Sequence, residues 1–177
     1  LRKIFTPIDA ATADCATGSD AYALYFGTGD VQRPKMDRTK KDIIGMVIVD
    51  SKTKTLTLDD LVNITDVSKA PADPKKTGKN GWYIRLDDNG KMLRGAKVFN
   101  KTAHYKVFYP VTDGKTDEEK CAELQSEEKL FAVNYCSGTG AVDTGKKDGK
   151  GNTIYSRVEE YSSDTKRLSL GVGAEPQ

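Results

Sequence analysis

The chain of 177 residues carries 28 Lys and Arg against 26 Asp and Glu, a net charge of +2, and 37% of it is hydrophobic. So even a balance gives no footing for a nucleic-acid-binding reading and lacks the high net charge of a disordered chain, and no run of about 18 apolar residues offers a transmembrane helix. Leu, Ile, Val and Phe together make only about a fifth of the residues, near the lower edge for a self-sufficient globular domain, so the composition fits one folded segment with a thin core that borrows burial from elsewhere.

In chain order, the dominant pattern is short strands. "AYALYFG" (21–27) is a continuous apolar run of strand length, and so is "IIGMVIVD" (43–50); both read as strands buried on two faces. The basic run "RPKMDRTKK" (33–41) lies between them, is interrupted by Asp37 and lacks interleaved aromatics, so it reads as a solvated loop. "TLDDLVNIT" (57–65) has room for one helical turn capped by Thr57 or Asp59. A long polar stretch, 66–80, leads to "GWYIRLD" (81–87), which alternates cleanly, with Trp82, Ile84 and Leu86 on one face. "DDNG" (87–90) then reads as a hairpin turn. "KMLRGAKVFN" (91–100) and "HYKVFYP" (104–110) follow, the latter with Tyr105, Val107 and Tyr109 on one face. "TDEEKCAELQSEEK" (116–129) has the capping-box spacing of a short helix, with Thr116 and Glu119. "KLFAVNY" (129–135), a polar loop at 140–152 and "TIYSRVEEY" (153–161) complete the pattern.

Two groups of three strands repeat. "YALYFGTGD", "GMVIVDSKTK" and "GWYIRLD" are echoed by "YKVFYPVTD", "LFAVNYCSGTG" and "IYSRVEEY", so that Phe26 aligns with Phe108 and Asp50 with Asn134. With residues 91–100 as an opening strand, the unit has four antiparallel strands, the blade of a β-propeller. The expected fold is therefore all-β: about two blades of an incomplete propeller, with long loops and one or two short helices. The whole of residues 1–177 forms one partial propeller domain. Its blade-like units fall at about 20–90 and 91–161, and 165–177 opens a further blade. Leu1 is not an initiator Met, so a processed protein or a fragment is expected. A plain antiparallel sandwich is the competing architecture.

Sites for chemistry are sparse. Gly27-Thr28-Gly29 has Gln32 where a dinucleotide fingerprint needs glycine, and no helix pattern or P-loop Lys follows; it reads as a strand end where small residues let a neighbour approach. "DDNG" is too compressed for a calcium loop, and "DTGKKDGKGN" puts lysines where acidic ligands belong. His104 is the single histidine, placed on a strand as a surface or turn residue. The carboxylate pairs Asp59-Asp60, Glu118-Glu119 and Glu159-Glu160 are sequence neighbours, which on a strand point to opposite faces. Sequons at Asn63 and Asn100 are too common a signal to carry weight. No catalytic, cofactor or metal residue is assigned.

Three cysteines occur, Cys15, Cys121 and Cys136, without a Cys-x-x-Cys pair. Cys121 and Cys136 flank one strand; as a candidate disulfide they would close a modest loop and suit an exported protein. Cys15 is then left without a partner inside these residues.

The segment order "YFGTGDVQRP", "LDDLVNIT", "GWYIRLDDNGKMLRGAKVFN", "VFYPVTD" with Cys121, and "KLFAVNYCSGTG" resembles the carboxy-terminal propeller of the PilY family, from about residue 21 to 173. These are type IV pilus tip-associated biogenesis and adhesion proteins. The resemblance implies a quinoprotein-dehydrogenase-like propeller without catalysis, exported to the periplasm or outer cell surface and displayed at the pilus tip. It implies support of pilus assembly, surface adhesion and twitching motility. Implied partners are the remaining propeller segment, in the same protein or another chain, minor pilins at the pilus tip, and a surface or host receptor; no nucleic acid is expected. Many members carry an Asp-rich calcium loop in this propeller, and no such ligand loop stands in this sequence, so no cofactor is expected, with calcium implied only by the resemblance. The alternatives are a true quinoprotein oxidoreductase, whose quinone needs an aromatic platform, a calcium site and a catalytic Asp, and a generic exported propeller scaffold.

Overall fold

The computed structural model describes residues 4–12, 14–15, 21–30, 32, 41–53, 55–66, 73–87, 89–110 and 126–159. Within them the strands form two sheets that pack face to face and one separate hairpin. The first sheet comprises β1 (Asp9–Thr12), β2 (Tyr22–Gly27), β3 (Ile43–Val49), β4 (Val62–Asn63) and β5 (Gly81–Arg85) in the order β1-β2-β3-β5-β4. Its first four members are antiparallel neighbours, and β4 joins β5 in parallel. A single 3-10 turn, Leu58–Asp60, precedes β4, and a short helix, α1 (Pro74–Thr77), follows it.

The second sheet repeats this plan. Its opening strand is broken into β6 (Lys91–Met92) and β7 (Lys97–Phe99), which pair in turn with β8 (Thr102–Pro110). β8 then pairs with β9 (Ser126–Asn134), and β9 with β12 (Val158–Glu159), all antiparallel. Between β9 and β12 stands the hairpin of β10 (Val142–Lys147) and β11 (Thr153–Ser156). Two four-stranded antiparallel meanders of the same order are two propeller blades, and the expected all-β, partial-propeller fold is what the strands build.

Alternation decides which side chains meet. Along β2 the alternate residues Ala23 and Tyr25 point inward, and in β3 their partners Ile48 and Met46 do the same. From the second sheet Ala103, Tyr105 and Val107 face them, each fully buried. Trp82 sits at the centre, also fully buried, with its ring edge-on to Tyr105 at 6.2 Å between centroids. These residues belong to one continuous core that both sheets share, so each sheet supplies half of what the other needs to be buried.

Several local expectations differ from the structure. The first unit opens at Asp9, with a strand outside the range 20–90. The Asp87–Gly90 turn is made, with the Gly90 amide donating to Asp87 O at 2.8 Å, yet the strands on either side of it lie in different sheets. It carries the chain from one blade to the next and closes no hairpin. Residues 126–129 of the expected helix belong to β9, where β8 recruits them as ladder partners; residues 116–125 lie outside the described ones. The polar stretch 140–152 is a hairpin arm and turn. The expected strand 153–161 is divided between β11 and β12, and the further blade at 165–177 lies outside the described residues.

Candidate functional site at the seam between the sheets

Of the positions singled out for chemistry, the glycine stretch falls at the seam between the two blades. Gly27-Thr28-Gly29 ends β2 where β6 of the second blade crosses. A side chain at Gly27 would overlap that of Met92, and one at Gly29 would lie 2.8 Å from Met92 O. Thr28 is spent in every direction: its amide donates to Ile43 O at 2.8 Å, its carbonyl accepts from the Met92 amide at 3.0 Å, and its hydroxyl donates to Asp42 at 2.8 Å while accepting from the Ile43 amide at 2.9 Å. An amide already bonded cannot cradle a phosphate. The glycines are a three-strand joint, as the strand-end reading expects.

The seam is crossed by reciprocal tyrosines. Tyr105 on β8 donates its hydroxyl to Gly45 O on β3 at 3.0 Å, and Tyr25 on β2 donates to Tyr135 O, just past β9, at 3.1 Å. Burial pushes both phenols up from their ordinary pKa, so they remain neutral donors. Tyr135 in turn donates to Asp14 at 3.3 Å; burial first, and the Asp14 charge second, raise its phenol too. Arg157, before β12, is buried and donates to Ile64 O of the first blade. Burial pulls its guanidinium below the usual range, and the Asp66 charge opposes that pull.

The cysteines require a correction. Cys136 is bonded to Cys15, not to Cys121, across 121 residues of sequence with the Cα atoms 5.5 Å apart. Cys121 lies outside the described residues. The bond joins the segment after β1 to the turn after β9, one blade to the other, and Cys15 is buried in the shared core. The leftover cysteine was the available signal, but pairing is fixed by topology, which spacing does not reveal.

Asn134 and Asp50, the repeat partners, have the same local job. Asp50 accepts from the Lys52 amide at 2.9 Å and the Thr53 hydroxyl at 2.7 Å. Asn134 accepts from the Cys136 and Ser137 amides, both at 3.0 Å. Each folds its side chain over the turn that ends the third strand of its blade. Beyond it Gly138 has φ +65°, and a side chain there would overlap Ile64 and lie 3.0 Å from the Trp82 ring.

The other candidates do not converge. His104 is on the outward face of the second sheet, opposite Ala132. Asp60 caps the 3-10 turn through Thr57, bonding its amide at 2.8 Å, while Asp59 lends its carbonyl to Lys79. Asp148 caps the tip of the β10–β11 hairpin through the Lys150 and Asn152 amides. Asn63 accepts from the Thr65 amide and hydroxyl, and Asn100 forms the β7–β8 turn with φ +47°. Glu118, Glu119 and Glu160 lie outside the described residues. Among the described residues no three His, Cys, Asp or Glu side chains gather as metal ligands, and no helix is long and apolar enough to cross a membrane.

No family model and no curated protein sequence matches the chain. Among solved structures, the crystal structure of the Pseudomonas aeruginosa PilY1 C-terminal domain matches with a TM-score of 0.62 over 91% of this chain. The chain has the fold of that domain. Identity is 11%, and this chain spans 40% of the solved one. The PilY-like fold expected from the segment order is thus present in three dimensions, while so low an identity transfers architecture and leaves activity to be argued separately.

Proposed function

We propose that the chain is a non-catalytic propeller portion of a type IV pilus tip-associated protein, supporting pilus assembly, surface adhesion and twitching motility. The observation that carries this reading is the match over 91% of the chain to a domain described as PilY1, in the same segment order that the sequence resembles. The seam adds support of a different kind. Its tyrosine hydroxyls, its buried arginine and the Thr28 carbonyl, which accepts from the Met92 amide, are all used to hold one blade to the other, as expected of a scaffold.

The Cys15–Cys136 bond supports display outside the cytoplasm, because disulfides persist in oxidising compartments such as the periplasm and cell surface. The partners that fit are the rest of a propeller, minor pilins at the tip, and a surface or host receptor. Deleting the gene and counting surface pili, with affinity purification of the tagged protein, tests the proposal. Loss of piliation with minor pilins in the eluate is the expected result. Normal piliation and twitching in the deletion strain, with no pilin recovered, would overturn it. A quinone absorbance band in the purified protein would overturn the non-catalytic part alone.

A further inference from the structure

One element belongs to neither blade. The β10–β11 hairpin is a two-stranded sheet of its own, standing on the connection between β9 and β12. Its base is tied to the second blade: the Ala141 amide donates to Ala132 O at 3.1 Å, and the Ala132 amide to Arg157 O at 2.9 Å. Above that base no residue from 142 to 156 is buried. The two edges of this ribbon are protected unequally. β10 carries a bulge between Asp143 and Lys147, with Gly145 at φ +68°, and the charges of Asp143, Lys146 and Lys147. Bulges and charged side chains are devices that stop a further strand from pairing with an edge. β11 has neither. It reads Thr-Ile-Tyr-Ser, with the strand-favouring Ile154 and Tyr155 exposed by 42% and 57%. Successive strand residues point to opposite faces, so no surface laid against one face covers both side chains, whereas a strand added alongside β11 does.

Charge selects the kind of strand. Lys146, Lys147 and Lys150 are exposed on the outer half of the hairpin and make no ion pair among the described residues. The carboxylates of the hairpin are held on backbone amides instead: Asp143 accepts from Gly145 at 2.8 Å, and Asp148 from Lys150 and Asn152 at 2.8 and 2.9 Å. From the open edge, the two exposed side chains and the unpaired lysines we infer that β11 is a docking site for an extended acidic strand of a partner protein. Main-chain pairing along the edge supplies the attachment, and the lysines favour carboxylates on the incoming strand. A ribbon of two strands is marginal in water, and a third adds ladder and cross-strand contacts. The inference names an edge and a strand chemistry, and it is independent of the pilus role.

A short synthetic peptide alternating Glu with Val, and a twin with Lys in place of Glu, test it against the isotopically labelled full chain by amide NMR. The Glu peptide is expected to shift the amides of residues 153–156 and to bind about tenfold more tightly than its twin, an advantage that shrinks as salt is added. Ile154→Lys/Tyr155→Lys puts guarding charges on the edge and is expected to weaken the Glu peptide about tenfold despite the added positive charge. Its urea midpoint by Trp82 fluorescence should stay that of the parent, because both side chains are exposed. Lys146→Gln/Lys147→Gln/Lys150→Gln is expected to remove the preference between the peptides while the same amides still shift. Unmoved amides at 153–156, equal binding of the twin peptides to the parent chain, or undiminished binding by Ile154→Lys/Tyr155→Lys would each overturn the inference. A doubled mass in light scattering that this variant abolishes would also overturn it, by assigning the edge to a second copy of the chain.

Discussion

Removing the interblade disulfide gives the sharpest test of how the arc is held together. The bond spans 121 residues, and closing a loop of that length lowers the entropy of the unfolded chain by an amount worth about 5 kcal/mol. Net stabilities of domains are themselves about 5–15 kcal/mol, so the loss takes away a large share. The variant Cys15→Ala/Cys136→Ala is preferred to serine because Cys15 is buried, and a hydroxyl there would add a separate desolvation cost. Urea unfolding followed by tryptophan fluorescence reads the effect directly, since the single Trp82 lies in the shared core. The double alanine variant is expected to lose about 5 kcal/mol, and Cys121→Ala to change little. Had Cys121 and Cys136 been bonded, their much shorter loop would contribute only about 3 kcal/mol, and Cys121→Ala would lose it. A double variant within about 1 kcal/mol of the parent, or a Cys121→Ala variant as unstable as the double one, would refute the reasoning.

Two further outcomes follow from the seam. Gly138→Ala is expected to cost roughly 2–5 kcal/mol, from the left-handed backbone and from the clash with Ile64; an unchanged urea midpoint would show that the turn can move away. The raised phenols of Tyr25, Tyr105 and Tyr135 favour the neutral form in the folded state, so their stabilisation is intact below the unfolded value of about 10 and is lost as pH rises above it. The urea midpoint should therefore be steady from neutral pH to about 10 and fall beyond it, less steeply in Tyr25→Phe; a flat profile through the alkaline range would contradict the buried-tyrosine account.

How much of this was legible depended on whether a segment's state is set locally. The runs at 21–27 and 43–50 and the alternation at 81–87 and 104–110 carry their own period, and Trp82, Tyr105 and Val107 face inward as that period requires. The match of Asp50 with Asn134 was readable because each folds its side chain over the turn after the third strand of its blade. β1 was not readable, because Asp-Ala-Ala-Thr has no aromatic or strongly strand-favouring run and becomes a strand only by pairing with Tyr22–Tyr25. Residues 126–129 have a helical composition, and the β8 ladder overrides it. At the site, the glycine joint was legible from the missing third glycine, whereas Arg157 was not. Nothing near it in sequence announces that its partner is Ile64 O, 93 residues away.

The long-range ties of the seam are not independent of one another. Tyr25 to Tyr135 O spans 110 residues, Tyr135 to Asp14 spans 121, and the disulfide spans 121. All three converge on the short turn after β9. Each such contact alone must overcome a loop-closure cost that grows with the logarithm of its span, and a single hydrogen bond nets only about 1 kcal/mol. Once Cys15 is bonded to Cys136, however, Asp14 and Tyr135 are adjacent to the bond on either side. The closure cost is then already met for both tyrosine contacts, and Asn134 and Gly138 hold the turn in the shape those contacts need. The hydrogen bonds should consequently be worth more in the oxidised chain than in the reduced one. A double-mutant cycle between Tyr135→Phe and the disulfide is expected to show positive coupling, and additivity would mean that packing of the shared core alone brings the two blades together.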